Sequence, residues 1–76
     1  MSDNTVHDAN IRFLQANARV SEVNAVYTTA RQEYYRNPNP ESSHAHKIAE
    51  RANMEAILAA VNAANQLNAV IEREST

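Results

Sequence analysis

Asn37-Pro38-Asn39-Pro40 is the stretch of this 76-residue sequence through which no regular α-helix can run. A proline ring disfavours the α conformation in the residue before it, so Asn37 and Asn39 are both pushed extended. The preceding helix should end close to Arg36. The same residues then restart the chain: Asn39 can serve as an N-cap, Pro40 fits the first helical position, and Glu41 places a carboxylate where the helix dipole is positive. A second helix is expected from about 40 to about 73.

Nothing else in the chain interrupts a helix. The sequence has no glycine, and both of its prolines lie in this one stretch. Glycine supplies the positive φ that most tight turns need, so the chain is left with a single reversal. Thr5, followed three residues later by Asp8, approximates a capping box and puts the first helix at about 5–36, with the loop at 37–39. A helix of roughly 30 residues is about 45 Å long at about 1.5 Å per residue, and so short a connection sets the two antiparallel. The expected fold is all-α: one domain spanning 1–76, a two-helix antiparallel hairpin that assembles into a helical bundle by oligomerisation or partner binding.

Composition limits what holds such a hairpin together. A chain this short buries a modest fraction of its surface, and with no cysteine it has neither disulfides nor thiolate metal sites to compensate. A net charge of -2 and a pI near 5.8 argue against a nucleic-acid partner, which calls for a basic face. Met1-Ser2-Asp3-Asn4-Thr5 has neither the basic nor the apolar region of a signal peptide, and no apolar run approaches the ~20 residues that span a bilayer. The expectation is a cytoplasmic protein with no membrane partner.

The first helix carries a seam at alternating spacings of three and four: Val6, Ala9, Phe13, Ala16, Val20, Val23, Tyr27, Ala30 and Tyr34. Asn10, Asn17 and Asn24 recur every seven residues beside it, either as solvated flanks or as a ladder toward a second subunit. The second helix has apolar residues on two broadly opposed faces. Met54, Ile57, Leu58, Val61, Ala64 and Ile71 form one stripe; Ala45, Ala49, Ala52, Ala56, Ala59, Ala63 and Val70 form the other, with Arg51, Glu55, Asn62 and Gln66 between them. One neighbouring helix cannot cover both. The large-apolar stripe, with Ile11 and Leu14 and the small Ala18 and Ala25 behind the first seam, is therefore the candidate partner-binding surface. The partner is a protein, a further copy of the chain, or both.

Signals for chemistry are sparse. There is no cysteine nucleophile, no glycine-rich phosphate loop, and the serines fall mostly at expected helix ends, so no catalytic residue or cofactor is assigned. His44 and His46 point in different directions on a helix, while His46 and Glu50 at i, i+4 give only two ligands, so no metal is assigned. Tyr27, Arg31, Tyr34, Tyr35 and Arg36 cluster near the loop. They suit closure of the seam, a protein contact, or stacking and charge pairing with an anionic small ligand such as a nucleotide.

The Asn37-Pro38-Asn39-Pro40 loop between two long helices resembles type III secretion needle subunits and, more loosely, the small hairpin co-chaperones that hold them. The resemblance covers this loop and the helical outline. Between its prolines the loop is one residue shorter than the needle pattern, and the aromatic and C-terminal signals of needle subunits are absent. What the resemblance implies is a role in self-assembly or in escorting a partner.

Overall fold

In the computed structural model, which describes the backbone of residues 2–75 and the side chains of residues 5–75, the chain is a pair of packed helices. Helix α1 spans Ser2–Arg36 and α2 spans Pro40–Ser75. Together they make a rod of 56 × 13 × 13 Å. That length is what about 35 residues give at about 1.5 Å each.

The reversal is built from side chains rather than from glycine. The Ser42 amide donates to Asn39 Oδ1 at 2.8 Å, and the Asn39 amide donates back to Ser42 Oγ at 3.1 Å. This is a reciprocal capping box in which serine stands where glutamate is usual. The Ser42 hydroxyl also donates to the Asn37 carbonyl at 2.9 Å, which the Asn39 side-chain amide reaches at 3.1 Å. The Asn37 amide closes the last turn of α1 on the Glu33 carbonyl at 3.0 Å. Among the described residues no backbone has positive φ, so the turn has no need of glycine.

Both helices run further than the sequence signals suggest. Helix α1 starts at Ser2, so Thr5 lies inside it rather than at its cap, and α2 continues to Ser75 rather than stopping near 73. Extending an existing helix by a turn is nearly cost-free compared with nucleating one. At its end the Ser75 hydroxyl donates to the Ile71 carbonyl at 2.8 Å.

On α1 the nine seam positions read from the sequence, Val6 to Tyr34, are the nine buried or half-buried residues from Thr5 onward. The α2 seam differs from the expected alanine stripe. Ser42, His46, Ala49, Asn53, Ala56, Ala60, Ala63, Leu67 and Val70 follow the same three-four alternation and are buried or half-buried, whereas Ala45 and Ala59 are exposed. Polar residues at two interior positions and alanines on every face disguised this seam. Phe13, Asn17 and Val20 line one groove with Ile57, Ala60, Val61 and Ala64, while Tyr27 and Tyr34 meet His46, which fixes the antiparallel register.

This seam is thin. Among the described residues only Ala9, Ala49, Ala56 and Val70 are buried, and His46 Nε2 and Asn53 Oδ1 are enclosed without a hydrogen-bonding protein partner. Small side chains let the helices approach closely but bring little apolar area out of water. All four isoleucines and two of the three leucines lie outside it, exposed.

Candidate association surface

The residues proposed for partner binding stand outside the seam. Met54, Ile57, Leu58, Val61 and Ile71 on α2, and Ile11 and Leu14 on α1, are all exposed, from 38% at Ile11 to 61% at Leu58. Ala64 is half-buried and lines the groove between the helices. Ile48 and Val26 are also exposed large apolar residues, although their positions outside any stripe gave no sequence signal.

Beside the seam the two helices together form a groove. Phe13, Asn17 and Val20 from α1 and Ile57, Ala60, Val61 and Ala64 from α2 bound an open trough of about 260 Å³. Ala60 and Ala64 leave room between the larger side chains, producing a concavity of side-chain size. A second open hollow, of about 390 Å³, lies on α1 alone, lined by Ala25, Val26, Thr29 and Ala30. Sequence periodicity located Ile57, Val61 and Ala64 but not their α1 partners, since it places Phe13 and Val20 in the seam and Asn17 beside it.

Charge is distributed unevenly around this surface. Residues 56–71 of α2 are sixteen in succession without Asp, Glu, Lys or Arg on any face. Its charges gather at the ends, with Arg51 and Glu55 paired at 3.5 Å on the solvent side before the run and Glu72, Arg73 and Glu74 after it. A solvated helix face is ordinarily lined with charge, and interface centres are depleted of it. This uncharged run was visible in the sequence and marks the surface more sharply than hydrophobic periodicity does.

The Tyr/Arg cluster divides between two sides. Tyr34 stacks on the His46 ring at a centroid distance of 5.4 Å and Tyr27 lies 5.6 Å from the same ring, so both belong to the seam. Tyr35 is exposed, with the Arg31 guanidinium 5.5 Å above its ring and the Tyr34 ring 5.7 Å away. Arg36 turns to Glu33 at 3.7 Å. The five residues do not converge on one cleft.

His46 is drawn into the seam while His44 is exposed. Among the described residues no three metal-ligating side chains come together, and no helix is long and apolar enough to cross a membrane. The fold and surface define an all-α helical hairpin with a narrow small-residue seam and an uncovered apolar flank. No protein-family model, curated protein or solved structure gives a significant match to the chain.

Proposed function

We propose that the protein acts by docking to another protein through the uncharged half of α2, with no catalytic chemistry of its own. The observation that carries this reading is the coincidence of the sixteen-residue uncharged run with the exposed Ile57, Leu58, Val61 and Ile71. Fully burying an aliphatic side chain of this kind is worth about 1.5–3 kcal/mol, and whole-domain stability is only about 5–15 kcal/mol. Covering several of them at once is a driving force comparable to folding itself. Self-assembly, escort of a partner, or inhibition by occupying a partner's groove are the roles this mode of contact serves.

A photo-crosslinking residue at Val61, compared with one at Arg12, tests the reading in a lysate of the native host. Covalent protein adducts are expected from position 61 and not from position 12. No adduct of any mass from position 61 contradicts it.

A further inference from the structure

We infer that the occupant of the α2 groove is a second copy of this chain, packed flank to flank about a two-fold axis into a four-helix bundle. This rests on the docking reading above and names the partner. The exposed area calls for a partner of this size. The chain exposes 5831 Å². A compact monomer of 8.5 kDa exposes about 4,700 Å², so the hairpin carries an excess of about 1,100 Å². A stable interface takes about 800 Å² from each partner. One further copy absorbs most of the excess.

Charge on the flank favours a like partner. In a two-fold interface the same patch meets itself, so every charge near the axis faces its like. At about 100° per residue, Asn10, Leu14, Asn17, Ser21 and Asn24 lie on the α1 flank that borders the groove, as the place of Asn17 in its lining requires. None of these is charged, and neither is any residue of 56–71 facing them. Arg12 and Arg19 fall on the other side of the seam. The flank is thus free of self-repulsion and offers no charge by which an unlike protein would be selected.

The flank is also self-complementary in shape. The trough floored by Ala60 and Ala64 accepts a branched aliphatic side chain, and Leu14, 54% exposed on the same flank, presents one. A small floor on one copy and a protruding leucine on the other is the knob-and-hole relation of helical bundles. Asn10, Asn17 and Asn24, one heptad apart, then stand where a polar ladder fixes the register between copies.

Sedimentation equilibrium of the full chain, from low micromolar to near-millimolar concentration, tests the pairing. The expected mass is twice 8.5 kDa, with Arg12→Glu unchanged. Asn17→Asp and Val61→Asp should each weaken self-association at least ten-fold. Should Val61→Asp also lose helicity, Asn17→Asp decides, because it is nearly isosteric and its position is exposed in the single chain. A helical wild-type chain with single-copy mass throughout overturns the inference, and so does undiminished pairing in Asn17→Asp. The failures are separable: single-copy mass with Val61 adducts to an unlike protein removes only the second copy as occupant, whereas single-copy mass with no adduct removes the docking reading too.

Discussion

The His46 ring stacks on that of Tyr34 at 5.4 Å and 22°, inside the hairpin seam. Its Nε2 is enclosed there with no protein hydrogen-bond partner. A buried unpaired polar group costs about 1–3 kcal/mol, while an aromatic pair contributes about 0.5–1.5 kcal/mol. The ring contact and the orphaned nitrogen therefore oppose each other. His46→Phe keeps the stacking and deletes the orphan, so it should stabilise the hairpin by about 1 kcal/mol, or roughly 4–8 °C in Tm for a chain this size. Thermal denaturation followed by circular dichroism at fixed protein concentration measures it. A lower Tm would mean that His46 is satisfied in solution.

The loop offers a coupled pair. Asn39 and Ser42 exchange hydrogen bonds across the start of α2. Asn39→Ala and Ser42→Ala should each lower stability, by about 1 kcal/mol for the N-cap. The double variant should lose less than the two single losses together, because either change breaks the same box. Urea denaturation of the four chains gives the coupling, and strict additivity would show that the box does not form.

Nucleotides should leave the protein unmoved. Tyr27 and Tyr34 are committed to His46, which leaves Arg31 and Tyr35 on an open helix surface. A ligand present at about a hundred times its Kd stabilises the folded state by about 2.7 kcal/mol. A thermal-shift panel of nucleotides and other anionic metabolites should show no change of that size. A reproducible shift abolished by Arg31→Ala would restore the ligand reading of this cluster.

The sequence made the hairpin legible through two prolines and the lack of glycine, and α1 through its seam, which runs the length of the helix while Ile11, Leu14, Ala18 and Ala25 form only a shorter patch behind it. On α2 the reading broke down at His46 and Asn53, polar residues in interior positions, and at Ala45 and Ala59, apolar residues on the outside. Alanine is favoured by helix propensity as much as by burial, so its periodicity carries little information about which side faces inward. The exposed large side chains from Met54 to Ile71 were legible, but the half-burial of Ala64 and the exposure of Ile48 and Val26 were not. The groove was not, because it depends on the register between helices, which places Phe13, Asn17 and Val20 beside Ile57 and Val61.

Hydrogen exchange resolved along the chain reports whether the groove flank is covered when the protein is at work. Amides in helices pinned by an interface exchange more slowly than those in helices open to solvent. With rising protein concentration, residues 56–71 and 10–24 should become progressively better protected, while residues 28–36 near the loop change little. Exchange rates in 56–71 that stay the same at every concentration, in a chain that remains helical, would contradict the account.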